Sequence, residues 1–136
     1  MWDSTTGAEI RSFKGHLDTV YSAVFSADGT KMVTASDDRT ARVWDATGGA
    51  ELLVLRGHTR GVRSAGFSPD GARLVTGGDD GTVKLWDART GAEVLSLKGH
   101  VGTVYTAGFS PDGARLLTAG DTTARVWDIL PFGRPR

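Results

Sequence analysis

A period near 42 residues runs through the chain and restricts its fold more than any other feature. Trp-Asp recurs at Trp2-Asp3, Trp44-Asp45, Trp86-Asp87 and Trp127-Asp128, with steps of 42, 42 and 41. Gly-His recurs at Gly15-His16, Gly57-His58 and Gly99-His100, and Asp-Gly at Asp28-Gly29, Asp70-Gly71 and Asp112-Gly113, all at 42. Residues 15–56 and 57–98 are identical at 22 of 42 positions. Three independent markers at one spacing describe a repeated supersecondary unit. Such a unit cannot bury its apolar face alone and must stack on its neighbours.

Each period divides into four short extended segments. In the first, Thr19–Phe25 is rich in β-branched and aromatic residues, and Ser26-Ala27-Asp28-Gly29 supplies a turn in which Gly29 can take positive φ. Lys31–Ser36 is the second strand, Thr40–Asp45 the third and Ala50–Leu55 the fourth, separated by Asp37-Asp38-Arg39 and by Ala46-Thr47-Gly48-Gly49. The spacing and turn chemistry fit antiparallel strands. No stretch carries a helical period, so the expected class is all-β.

Composition narrows the function. The 136 residues suit one ordinary domain, and sixteen Lys+Arg balance sixteen Asp+Glu. A chain of zero net charge lacks the basic surface that nucleic acid or an anionic membrane would demand. The absence of cysteine removes disulfides, thiolate metal sites and a cysteine nucleophile. No apolar run approaches the roughly 18 residues of a membrane span, and the start Met1-Trp2-Asp3-Ser4-Thr5 does not read as a signal peptide. The expectation is a soluble, cytoplasmic protein.

The Gly-His to Trp-Asp unit resembles the WD40 repeat, one four-stranded blade of a β-propeller. The resemblance covers residues 2–128. It implies that a His, a Thr, an Asp and a Trp form a buried hydrogen-bonded set in each blade. Position by position these are His16, Thr34, Asp38 and Trp44, then His58, Thr76, Asp80 and Trp86, then His100, Thr118, Asp121 and Trp127. The chemistry is coherent. Indole N–H only donates, a Thr hydroxyl can accept from it and donate to imidazole, and the second ring nitrogen can donate to the carboxylate. The third blade is one residue short between Thr118 and Asp121, which puts the Thr118–His100 bond in question.

These sets resemble a hydroxyl–His–Asp catalytic group, but a threonine inside a strand is badly placed for attack, and the set recurs in each blade. A structural role is expected, with no enzyme activity and no cofactor. Metal is not expected either. Equivalent histidines on blades that fan outward do not converge on one ion, and Asp37-Asp38 and Asp79-Asp80 lack the dense oxygen-ligand spacing of a calcium loop.

The ends suggest an open arc. Strand order from Gly-His is a, b, c, d. The chain opens with a remnant of c and a fourth strand at 8–13, continues through repeats 15–56 and 57–98, and ends with a, b and c of a third repeat at 99–128. A tail follows at 129–136, whose Pro131 and Pro135 do not suit a strand. Three blades are too few to close a propeller, since rings use at least about four. Either the chain is a fragment or an engineered or duplicated module without an evolved partner, or copies join head to tail. Head-to-tail closure gives a six-bladed homodimer, with a nine-bladed homotrimer as the alternative. In either ring each leading strand completes a neighbour's last blade.

The resemblance also implies a scaffold that binds a protein or peptide on its top face. Matched to the family pattern, the contact positions are Thr19, Tyr21, Gly61, Arg63, Thr103 and Tyr105, with Asp37, Asp79 and Gly120 just before the turn Asp. Tyr and Arg are frequent anchors because they combine large area with a polar end.

Overall fold

The computed structural model describes residues 2–9 and 11–129. It contains eleven strands of six residues: β1 Val20–Phe25, β2 Lys31–Ser36, β3 Thr40–Asp45, β4 Glu51–Arg56, β5 Val62–Phe67, β6 Arg73–Gly78, β7 Thr82–Asp87, β8 Glu93–Lys98, β9 Val104–Phe109, β10 Arg115–Gly120 and β11 Thr123–Asp128. They form three antiparallel sheets in meander order, β1-β2-β3-β4, β5-β6-β7-β8 and β9-β10-β11. The all-β reading and the strand bounds expected for the first repeat therefore agree with the structure, the bounds to within one residue. The a–b turns close on Gly29, Gly71 and Gly113, with φ of 73°, 74° and 74°, values that a residue with a Cβ adopts only under strain.

The second sheet lies between the other two, with β5 against β1 and β2, and β9 against β5 and β6. Two apolar layers fill the gaps. One joins Val33, Val43 and Leu55 to Val62, Leu74 and Trp86, and the other joins Val75 and Leu85 to Val104 and Leu116. The same repeat position has a different fate at the ends of the arc. Val62 and Val104 are fully buried against the preceding sheet, whereas Val20 is 48% exposed. Val33 and Val75 are fully buried against the following sheet, whereas Leu117 at the matching position is 55% exposed. Val43 and Leu85 are likewise buried, and their counterpart Val126 is 65% exposed.

The expected fourth strand at Ala8–Phe13 is not formed. Glu9 makes one antiparallel bridge, to Trp2, residues 11–13 lie outside any strand, and Ile10 lies outside the described residues. A strand persists only where a neighbour supplies its ladder, and here Trp2-Asp3 is the whole of the third strand beside it. The segment nevertheless keeps the path of a fourth strand. Asp3 N–H donates to Ala8 O and Gly7 N–H to Asp3 O, as Asp45 does with Ala50 and Gly49, and Asp87 with Ala92 and Gly91. Trp2 stands opposite Glu9 as Trp44 stands opposite Glu51 and Trp86 opposite Glu93. Phe13 lies edge-on to Trp44, with ring centroids 5.7 Å apart. Of the tail 129–136, Ile129 is buried in the second layer and the rest lies outside the described residues.

Candidate functional site

Two sets of polar side chains stand out. One is buried and repeated, and the other is exposed and singular.

The buried sets tie three parts of each repeat together: the Gly-His loop, the second strand and the third strand. In the first repeat Trp44 Nε1 donates to Thr34 Oγ1 at 3.0 Å, Thr34 Oγ1 lies 2.6 Å from His16 Nε2, and His16 Nδ1 lies 2.8 Å from Asp38 Oδ2. A carboxylate can only accept, so Nδ1 carries the proton. Nε2 then accepts from the threonine, whose lone pairs serve the indole. The second repeat matches this, at 2.9 Å for Trp86–Thr76, 2.7 Å for Thr76–His58 and 2.9 Å for His58–Asp80. Each aspartate also holds its own turn, Asp38 accepting from Leu17 N–H and Thr40, and Asp80 from Thr59 N–H and Thr82.

The charge states follow. Burial alone would raise the Asp38 carboxyl. The hydrogen bonds from Thr40, His16 and Leu17 outweigh it and hold the group well below the usual carboxylate range. Asp80 is lowered in the same way, against burial, by Thr82 and His58. Burial also pushes His58 down, more than the nearby Asp80 raises it, which keeps the ring in the neutral form the bonding requires.

The third repeat breaks at a different link from the one expected. Thr118 Oγ1 still lies 2.8 Å from His100 Nε2 and accepts from Trp127 at 2.9 Å, so the Thr118–His100 bond is kept. The lost link is on the aspartate side. His100 Nδ1 is 3.5 Å from Asp121 Oδ1, and that buried nitrogen has no hydrogen-bond partner among the described residues. The shorter turn explains it. Asp121 N–H donates to Thr103 O, the task of Asp37 and Asp79 in the other repeats. Its carboxylate accepts from Val101 N–H and from Thr123, the task of Asp38 and Asp80. One residue does the work of two, at a φ of 36°, and its carboxylate cannot also reach the ring. The N–H of Val101 is the main cause that keeps this carboxyl low.

The exposed set crosses all three sheets. Arg63 of β5 lays its guanidinium 4.1 Å from the ring centroid of Tyr21 on β1, and 5.9 Å from that of Tyr105 on β9. Arg63 Nε donates to Asp79 Oδ1 at 2.8 Å, and this bond is the main reason its pKa is raised. Loss of hydration raises the Tyr21 phenol. The charge of Arg63 works against that, while the hydrogen bond to Asp37 adds to it. Thr19 and Thr103 enter through their backbones, since their carbonyls accept from Asp37 and Asp121. Gly61 stands at the matching position of the second repeat, one of the expected contact positions, with no side chain to offer. A Cβ on it would come within 2.5 Å of Asp37 Oδ1 and 3.1 Å of Asp79 Oδ2, so the missing side chain is what lets both carboxylates approach over Gly61.

Two further ion pairs were not singled out from sequence. Arg42 Nη1 lies 2.7 Å from Glu51 Oε1, and Lys84 Nζ lies 2.7 Å from Glu93 Oε1. The signal was present as a cation two residues before Trp44 and Trp86 and a Glu seven after each of these two, at the common period. Among the described residues no group of three or more His, Cys, Asp or Glu side chains is arranged to hold a metal ion.

Two expectations follow from the buried sets. Trp86→Phe removes the indole donor from Thr76 and is expected to cost about 1–3 kcal/mol in urea unfolding; an unchanged midpoint would count against the buried set. Replacing Thr122 by Asp-Gly restores the turn spacing of the second repeat and gives His100 Nδ1 an acceptor. A gain of about 1 kcal/mol is expected, and a loss would show that the shorter turn is the better one.

Comparison with known proteins agrees with this geometry. The family model for the WD40 repeat, described as "WD domain, G-beta repeat", matches residues 7–45, 49–87 and 91–128. Apoptotic protease-activating factor 1 of Rattus norvegicus is 40% identical over 43 residues, covering 32% of this chain and 3% of that protein. The Homo sapiens protein of the same name is 38% identical over 43 residues, with the same coverage. The chain therefore aligns with a small fraction of these relatives' length. With three family matches across most of its residues and a Trp–Thr–His chain in every sheet, this chain belongs to the WD40 repeat family.

Proposed function

We propose that this chain is a non-enzymatic WD40 scaffold. Copies join head to tail into a closed propeller, and the top face presents Tyr21, Arg63 and Tyr105 to a protein or peptide. The observation that carries the reading is the contrast at equivalent positions. Residues that are fully buried between sheets, Val62 and Val104 on one side and Val33 and Val75 on the other, have exposed counterparts in Val20 and Leu117 at the two ends. Apolar area of this kind favours cover by about 25 cal/mol per Å². The two end faces differ from each other, as a head and a tail do, so a copy's tail fits another copy's head. Light scattering on the chain at micromolar concentration is expected to give twice the chain mass, or three times it for a nine-bladed ring. A monodisperse monomer overturns the assembly.

For the binding face, Arg63 is already paired with Asp79 and lies over Tyr21 and near Tyr105, so it serves to hold that carboxylate and the two phenols in place. A peptide bearing a cation suits that group better than an anion does, since Asp37 and Asp79 border it. Tyr21→Ala with Tyr105→Ala is expected to weaken binding of an arginine- or lysine-bearing peptide from a peptide array by about tenfold or more. Equal binding by the double variant removes this face from the proposal. The alternative, a fragment or duplicated module with a purely structural role, is favoured if no peptide binds at all.

A further inference from the structure

The N-terminal segment carries more information than a loose end would. Residues 7–16 read Gly-Ala-Glu, then Ser12, then Lys-Gly-His, and residues 91–100 carry the same seven residues at the same places around β8. The segment also lies where a fourth strand of a preceding sheet would lie. The side chain of Arg11 approaches Gly49 to within 2.9 Å of where a Cβ would stand, as Leu53 of β4 approaches Gly91 at 3.4 Å. Phe13 meets Trp44 at the position from which Leu55 joins the cluster of Trp86. Among the described residues, the segment has only Trp2-Asp3 beside it, and the third sheet, β9-β10-β11, has no fourth strand.

We infer that Glu9 and residues 11–14 of one copy lie on the fourth-strand path of a second copy's third sheet, in the register that sets Ser12 opposite Arg125. This rests on the head-to-tail reading above and adds the register and the contact that fixes it. The register comes from the two complete sheets, in which Arg42 faces Val54 and Lys84 faces Ser96, while Trp44 faces Glu51 and Trp86 faces Glu93. In both sheets the cation of the third strand reaches the glutamate at the start of the fourth, Arg42 to Glu51 and Lys84 to Glu93. Lys84 also donates to Ser96. The third sheet supplies the cation, Arg125, whose Nε donates within its own strand to Thr123. The leading segment supplies the glutamate and the serine, Glu9 and Ser12, which bond to each other in the single chain. Across copies, Arg125 takes Glu9 as its ion-pair partner. The partner's Trp127 takes the ladder position that Trp2 holds here. Trp2 is 68% exposed, and its displacement with Asp3 gives up one bridge to Glu9 and the bonds of Asp3 with Ala8 and Gly7, which the partner's Asp128 is placed to replace as Asp45 bonds Ala50 and Gly49.

Charge reversal in the full chain tests this by sedimentation equilibrium. A closed ring contains at least two such contacts, each worth a few-fold, so Glu9→Arg or Arg125→Glu alone is expected to weaken assembly about tenfold or more. The double variant is expected to recover to within about threefold of the parent, because each reversed charge again meets its opposite. Ser12→Glu, which adds a carboxylate opposite Arg125, is expected to tighten assembly. Two single variants that assemble like the parent, or a double variant no better than either single one, overturn the register and leave the head-to-tail reading standing. A parent chain that is monomeric overturns both.

Discussion

The hydrogen bond from each Trp indole to a buried Thr hydroxyl is the contact on which the blades depend. The indole is the largest side chain in the repeat, and burying it strands one donor unless an acceptor is already in place. Thr34 and Thr76 supply that acceptor from the neighbouring strand. Each hydroxyl then donates a hydrogen bond to a histidine that arrives from the Gly-His loop eighteen residues earlier. Three separated parts of the chain thus become one polar unit inside an apolar layer. The glycine before each histidine is required by the same packing. A Cβ on Gly15 would stand 2.9 Å from Trp44, and one on Gly57 would stand 3.1 Å from Trp86.

The third repeat shows which links of that unit are essential. Trp127, Thr118 and His100 keep their contacts with one residue missing from the turn, while the ring loses its bond to the carboxylate. The Trp–Thr–His part is set by strand register, which β10 and β11 retain through six consecutive pairs. The Asp part is set by the turn, and the turn is where the residue is missing. An aspartate that must satisfy three backbone N–H groups and a hydroxyl serves those before it serves the ring, because without them the turn itself does not close.

Most of the repeat was legible because its signals are local. Asp-Gly turns, β-rich segments and the Trp-Asp marker each act within a few residues, and repetition at 42 removes the ambiguity that any one of them carries. Other features depend on distance in the fold. Whether Asp121 replaces the first or the second aspartate of the turn is undecidable from the string, since it replaces the backbone of one and the side chain of the other. The stacking of Arg63 on Tyr21 depends on how far one sheet is rotated against the next, a quantity no motif encodes. The segment at 8–13 misleads for the same reason. Its residues are those of a fourth strand, but a strand is a relation between two segments, and its third-strand neighbour within the chain is two residues long.

That last point also sets the limits on assembly. An edge that needs a strand and a segment that needs an edge sit at opposite ends of one chain, and the same rigid stacking of sheets holds them apart. The segment cannot fold back onto β11 without abandoning Trp44 and Gly49, which hold it against the first sheet. Satisfying both needs inside one molecule would require the arc to bend through the missing blades. Satisfying them between molecules requires no change in the sheets, only the displacement of Trp2-Asp3. In the proposed assembly head and tail are different surfaces, so the contact is directional, and its repetition either returns to the start or continues without end. The rotation from one sheet to the next, fixed by the layers around Leu74 and Val75, then decides between those two outcomes.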